Sequence, residues 1–247
     1  MAEFNLGTLP SNTAVVVPRR TISNLNSKDT YSFRLDSDKN INLGLVGMTD
    51  DLNVQLFRDF NGNGLVDGND KQIAISDRLR LDEVINLSSA VADVDAGNYV
   101  VQVNRNRAFN DTPYNLRVSA DAAGTPSKVL AVEDDFGAVF SNDKPRTHQG
   151  SVGNTDTTDT IHFAVNTQGF YHFGLNNLSA DADLRLIQDK NNNRAVDAGE
   201  VIGSVVKRGT ISEGFVQNLA PATNYYLQAS QFTGNTNYSV TLTPIPN

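Results

Sequence analysis

The chain has 247 residues, 28 of them acidic and 20 basic, for a formal net charge of −8, and it contains neither cysteine nor tryptophan. That length suffices for two domains that each bury a core. The lack of cysteine excludes a disulfide framework and a thiolate metal site. The acidic balance argues against nucleic acid, which calls for a clustered basic face, and no apolar run is long enough for a helix to span a bilayer.

The N-terminal stretch Met1-Ala2-Glu3-Phe4-Asn5-Leu6-Gly7 has no basic n-region and no apolar h-region, so no secretory signal is visible. In the lead-in that follows, Val15-Val16-Val17 predicts a buried strand stopped by Pro18. Tyr31 to Leu35 and Ile41 to Leu45 alternate apolar and polar residues, the period of half-buried strands. Leu52, Val54 and Leu56 then fall on one face of a strand that runs into a polar loop, beyond which Ile73 and Ile75 resume the period. Val84 to Leu87 reads as a short strand, and the tyrosine-led runs Tyr99 to Val103 and Tyr114 to Val118 read as an antiparallel pair. Ala120 to Pro126 has the small-residue composition of a linker. The predicted domains are therefore 1–121 and 122–247, with the linker at about 120–128.

The polar loop Asp59-Phe60-Asn61-Gly62-Asn63-Gly64-Leu65-Val66-Asp67-Gly68-Asn69-Asp70 sets oxygen side chains at positions 1, 3, 5, 9 and 12. That is the spacing of a calcium loop, in which position 7 lends its backbone carbonyl and a glycine at position 6 makes the sharp turn. The loop recurs as Asp189-Lys190-Asn191-Asn192-Asn193-Arg194-Ala195-Val196-Asp197-Ala198-Gly199-Glu200, and the register extends outside it, with Asp29 to Phe33 matching Asp159 to Phe163. An internal duplication follows. One calcium ion is expected at Asp59, Asn61, Asn63, Leu65, Asp67 and Asp70. A second is expected at Asp189, Asn191, Asn193, Ala195, Asp197 and Glu200. Neither flank has helical periodicity, so each loop is expected to join two strands and to hold a structural ion. Arg194 stands where the first loop has Gly64, which predicts a strained turn, an added positive charge and weaker binding at the second site.

Asp-Thr-Tyr-Ser-Phe at 29–33, Leu-Asn-Val-Gln-Leu-Phe-Arg-Asp-Phe-Asn-Gly-Asn-Gly at 52–64, Ala-Gly-Asn-Tyr-Val-Val-Gln-Val at 96–103 and Tyr-Asn-Leu-Arg-Val at 114–118 resemble the bacterial pre-peptidase C-terminal domain. The loops are also similar to those of dockerins and thrombospondin repeats. The resemblance covers both halves and implies two tandem jelly-roll-like antiparallel β-sandwiches, an all-β fold. It also implies an accessory module of exported proteins that assists secretion, substrate contact or surface attachment. Members usually accompany a catalytic domain, whereas this chain carries only the accessory unit, twice.

An enzyme needs a nucleophile with a base or a catalytic metal with an open position. His148, His162 and His172 form no zinc spacing, and there is no G-x-S-x-G. The expectation is a non-catalytic, calcium-binding module, extracellular or at the cell surface, whose partner is a polysaccharide, a surface protein or a second copy. The alternatives are a carbohydrate-binding module and a self-assembling surface-layer or filament subunit.

Overall fold

The computed structural model describes residues 2–79 and 82–246, which divide into two compact units, Met1–Ala123 and Gly124–Asn247. Among the described residues there is no helix, and every regular element is a strand. The first unit runs β1 (Ala2–Thr8), β2 (Ala14–Val16), β3 (Arg20–Ile22), β4 (Lys28–Leu35), β5 (Asn40–Val46), β6 (Leu52–Asp59), β7 (Lys71–Ser76), β8 (Glu83–Leu87), β9 (Gly97–Arg105) and β10 (Thr112–Asp121). One sheet has the order β1-β4-β9-β6-β7 and the other β2-β10-β5-β8, with β3 also pairing β10. All pairs are antiparallel except β1 with β4.

Strand side chains alternate between faces, so the period-two residues of both sheets meet in one core. Tyr31, Phe33 and Leu35 of β4, Leu52, Val54 and Leu56 of β6, and Leu43 and Leu45 of β5 are at most 3% exposed. Burying each such side chain contributes about 1.5–3 kcal/mol. The polar ends of the core tyrosines are satisfied from within. Tyr114 Oη donates to Asp29 Oδ2 at 2.6 Å and lies 2.6 Å from Tyr31 Oη, while Asn26 Nδ2 donates to Asp29 Oδ1 at 2.7 Å. Burial pushes the Tyr31 hydroxyl up to about 12.

Two expectations are corrected. The tyrosine-led strands β9 and β10 do not pair with each other; they lie in opposite sheets, β9 between β4 and β6 and β10 between β2 and β5. Both alternate toward the same core, so their periodicity is the same whichever sheet each joins. The stretch 15–17, expected as a buried strand, is only half-buried: β2 spans Ala14–Val16, Val16 is 41% exposed, and Val17, just past the strand, is the buried residue of the three. Phe4 and Leu6 alternate, and β1 uses them to pack on the core, with Phe4 stacked on Tyr31 at 5.0 Å between ring centroids.

The second unit runs β11 (Asp134–Val139), β12 (Arg146–Val152), β13 (Thr158–Val165), β14 (Gly169–Asn176), β15 (Asp181–Gln188), β16 (Val201–Val205), β17 (Glu213–Leu219), β18 (Ala222–Thr233) and β19 (Thr236–Ile245). Its sheets have the orders β11-β13-β18-β15-β16 and β12-β19-β14-β17, the same plan as the first unit, down to one parallel pair of β11 with β13. The duplication is thus one of topology as well as sequence. Here too the tyrosine-led strands, β18 and β19, belong to different sheets. The stretch 120–128 does not behave as a free linker throughout. Ala120 and Asp121 close β10, and Ser127 is buried in the second unit. A small-residue segment that packs along a sheet has the same composition as one that hangs free.

Candidate metal centre

β6 and β7 are antiparallel neighbours whose last pair is Arg58 with Lys71, so residues 59–70 form the hairpin connection between them. β15 and β16 mount residues 189–200 in the same way, ending at Ile187 with Val201. In both copies the register shifts at the end of the hairpin, between Leu56 and Phe57 and between Leu186 and Ile187. The extra residue lies on the outgoing strand, Ile73 in β7 and Ile202 in β16, whereas β6 and, from Ala182 on, β15 keep an unbroken register with β9 and β18 up to the loops. Asp59 is 3% exposed and Asp189 fully buried.

Each buried aspartate gathers the loop around itself. Asp59 accepts hydrogen bonds from the Gly62 N–H at 2.6 Å and the Gly64 N–H at 2.9 Å. Asp189 accepts from the N–H groups of Asn193 at 3.1 Å and Arg194 at 3.0 Å. Asn61 and Asn63 point their amides at Asp67 Oδ2, at 3.0 and 2.8 Å, and Asn191 and Asn193 point theirs at Asp197 Oδ2, at 2.8 and 2.7 Å. The position-12 carboxylate closes the circle. The Asp67 N–H donates to Asp70 Oδ2 at 2.8 Å, and the Asp197 N–H to Glu200 Oε2 at 2.9 Å. The same hydrogen-bond pattern therefore recurs in both loops, joining positions 3, 5 and 12 to the position-9 aspartate and position 1 to the N–H groups of the turn, while the three carboxylates of neither loop come within 4.8 Å of one another as a set.

The charges of these groups are held in two ways. Asp67 is kept below the usual carboxylate range by the Asn69 N–H and then by the amides of Asn61 and Asn63. Burial pushes the Asp189 carboxyl up, opposed by the Arg194 and Asn193 N–H bonds and reinforced by the negative charge of Glu200. A buried carboxylate beside another carboxylate is what a cation relieves. The donor set fits a hard divalent cation. It consists of oxygens, Asp70 Oδ1 is buried without a hydrogen-bond partner, and the carbonyls of Leu65 and Ala195 accept no hydrogen bond among the described residues. The two sites differ at position 12: Glu200 gives its second oxygen to the Lys190 N–H at 2.8 Å, whereas Asp70 keeps one uncommitted.

The turn is left-handed at two positions, and the sequence reading identified only one of them. Gly62 and Gly64 have φ of 70° and 74°, and Asn192 and Arg194 have 55° and 61°. Asparagine adopts this region more readily than other residues with a Cβ, which was the available signal at position 4. Arg194 offsets its strain by donating to Tyr226 Oη at 2.7 Å with its guanidinium over the Tyr226 ring. Gly64 has no such contact to offer a larger residue. A Cβ there would sit 3.4 Å from Ser32, so Gly64→Ala is expected to cost about 1 kcal/mol. Urea unfolding of the full chain reads this as an earlier first-unit transition, and an unmoved midpoint would show that the turn does not need glycine.

A second acidic constellation had no sequence signal of its own. Glu133, Asp156 and Asp159 each offer an oxygen within 4.8 Å of the others. They meet because β11 runs beside β13; Asp156 occupies the place of Asn26, and Tyr238 Oη donates to Asp159 as Tyr114 does to Asp29. Two of the histidines are hydrogen-bonded to carboxylates. His162 Nδ1 lies 3.1 Å from Asp135 and its Nε2 2.8 Å from the Thr223 carbonyl, and His148 Nδ1 lies 2.6 Å from Asp134.

No family model and no curated protein matches the chain. Among solved structures it is similar to the pre-peptidase C-terminal domain of a collagenase from Bacillus anthracis, at 18% identity over 45% of this chain and 95% of that one, with a TM-score of 0.34. It is similar to the PBSX exported protein XepA at 9% identity, over 94% and 86% of the two chains, with a TM-score of 0.30. An f-lectin (fucolectin) from striped bass (Morone saxatilis) serum matches at 10% identity over 95% and 84%, with a TM-score of 0.22. The similarity to each of the three is distant.

Proposed function

We propose that the chain is a non-catalytic pair of calcium-stabilised β-sandwiches that acts outside the cytoplasm, at or beyond the cell surface, as a binding or assembly module. The observation that carries this reading is the recurrence of the same five oxygen-bearing positions, with the same hydrogen-bond pattern, in both loops. Asp59, Asn61, Asn63, Asp67 and Asp70, with the Leu65 carbonyl, would hold one ion. Asp189, Asn191, Asn193, Asp197 and Glu200, with the Ala195 carbonyl, would hold the other. Calcium would supply positive charge to carboxylates that burial disfavours and would pin the end of a β-hairpin. With no helix pair among the described residues to open, the ion stabilises and does not signal. The second site is the weaker one, because Glu200 already gives both oxygens to N–H groups and the strained Arg194 stands beside it.

Isothermal titration of calcium into the full chain, stripped beforehand with chelator, tests this directly. Two sites per chain are expected, and Asp67→Ala and Asp197→Ala should each abolish one. Heat equal to the buffer blank in the wild type would sink the calcium reading.

A further inference from the structure

The chain contains two Asn-Gly pairs, Asn61-Gly62 and Asn63-Gly64, and both lie in the first loop. In such a pair the asparagine is unusually prone to lose its amide, because the next residue's nitrogen closes a ring on the side-chain carbon and glycine has no Cβ to hinder it. The loop surrounds the second pair with the groups that this ring closure uses. The Gly64 N–H, whose nitrogen is the nucleophile, donates to Asp59 Oδ2 at 2.9 Å, and Asp59 is 3% exposed. The Asn63 side-chain carbonyl, which is attacked, accepts the Leu65 N–H at 2.8 Å. The Asn63 amide nitrogen, which leaves, donates to Asp67 Oδ2 at 2.8 Å. A base on the nucleophile and an N–H aimed at the developing oxyanion are what acyl transfer requires.

Asn61 has the same contacts, but the N–H on its side-chain carbonyl is longer. The Gly62 N–H donates to Asp59 Oδ1 at 2.6 Å, the Asn63 N–H to Asn61 Oδ1 at 3.1 Å, and Asn61 Nδ2 to Asp67 Oδ2 at 3.0 Å. The second loop is an internal control. The Arg194 N–H donates to Asp189 Oδ2 at 3.0 Å, the Ala195 N–H to Asn193 Oδ1 at 2.8 Å, and Asn193 Nδ2 to Asp197 Oδ2 at 2.7 Å. Its polar groups are those of the first loop, and its nucleophile belongs to a residue with a Cβ.

We propose that the first loop is a self-modifying site that converts Asn63 to an acidic residue with water as the only co-reactant. The Gly64 nitrogen bonds to Asn63 Cγ, and its proton passes to Asp59. The bond from Cγ to Nδ2 breaks, and that nitrogen takes up the proton and leaves as ammonia. Water then opens the cyclic imide. Its hydroxyl goes to Cγ to give aspartate, or to the main-chain carbon to give isoaspartate, and its hydrogen goes to the Gly64 nitrogen. The aspartate product adds a fourth carboxylate to Asp59, Asp67 and Asp70, and ligand charge tunes the calcium affinity of such loops. The chemistry needs no metal; only the expectation that calcium slows it, by engaging Asp59, rests on the proposed calcium site.

The test incubates the full chain at neutral pH in chelator or in calcium and follows aspartate and isoaspartate at every asparagine by peptide mass spectrometry. Conversion is expected at Asn63 ahead of all other asparagines, about tenfold or more faster in the folded chain than in guanidinium, and slower in calcium. Gly64→Ala should slow it about tenfold or more. Arg194→Gly should start conversion at Asn193, a gain that loss of folding cannot mimic. A folded chain no faster than the unfolded one, or an Asn193 left intact by Arg194→Gly, would overturn the proposal. Conversion of Asn63 at equal rates in calcium and chelator would bear it out and remove the calcium reading alone. Calcium binding by a first loop whose Asn63 stays intact in chelator would remove this inference alone.

Discussion

Asp189→Ala is expected to lower the melting temperature of the second unit in chelator and to lower it much further in calcium, leaving the first unit's transition in place. The chelator part comes from the loop itself. Asp189 is fully buried and accepts the N–H groups of Asn193 and Arg194, and alanine removes both bonds, leaving the Asn193 N–H its bond to Asn191 Oδ1, at a cost of about 2 kcal/mol. The calcium part comes from linkage, since an ion that binds only the folded state adds about 2.7 kcal/mol at a hundredfold excess over Kd. At a few degrees per kcal/mol, the losses are roughly 8 °C in chelator and 20 °C in calcium. Scanning calorimetry resolves the two units' transitions, and Asp59→Ala should mirror the pattern in the first. An equal loss in both buffers would leave a hydrogen-bonded hairpin with no ion.

The second large effect is on pH. Glu83 and Glu213 are counterparts in the two units, 0% and 3% exposed, and both carboxyls are pushed up to about 7, first of all by burial. Glu83 is opposed by the Ser76 hydroxyl and the Arg78 N–H, with Asp77 adding to the rise and Arg78 drawing it back. Glu213 is opposed by the Lys207 N–H and the Lys207 charge, while Asp183 and Asp181 add to the rise. Asp183 is itself raised to about 6 by burial and Asp181, and its Oδ1 and Glu213 Oε2 are both buried without partners.

A carboxyl whose folded pKa lies above its unfolded value of 4.5 binds more protons folded than unfolded in that interval. Its stabilising contribution is complete below 4.5 and lost as pH rises through about 7. Each glutamate then costs on the order of 3 kcal/mol above pH 7. The wild type is expected to melt progressively lower from pH 5 to pH 8. Glu83→Gln with Glu213→Gln should flatten that slope and raise the melting temperature at pH 8 while gaining little at pH 5, with a residual slope from Asp183. Parallel profiles for wild type and variant would place the pH dependence elsewhere.

Much of this was legible from order along the chain. Leu52, Val54 and Leu56 alternate because a strand's faces alternate, whatever it pairs with, and each of the three is fully buried. The loop positions were legible for the same reason, since twelve consecutive residues between two strands of a hairpin have few ways to turn, and an aspartate at position 1 reaches the N–H groups three to five residues on. The 130-residue offset between the loops was plain in the sequence alone.

The rest depended on contacts between distant segments. Which sheet β9 and β10 each join is decided by the neighbours that bury them, not by their own period. Glu83 and Glu213 read as ordinary polar residues at strand starts until the sandwich closes over them. Glu133 meets Asp156 and Asp159 only through the parallel pairing of β11 with β13. Residues 127–130 lie along the second loop only because Arg185 and Gln228, far along the chain, donate to the Ser127 and Val129 carbonyls. Sequence alone determined most of the strands, the duplication and the spacing of the loop residues, because period and spacing are local. Partner choice and burial were left to the tertiary structure, because each is a sum over residues far apart in the chain.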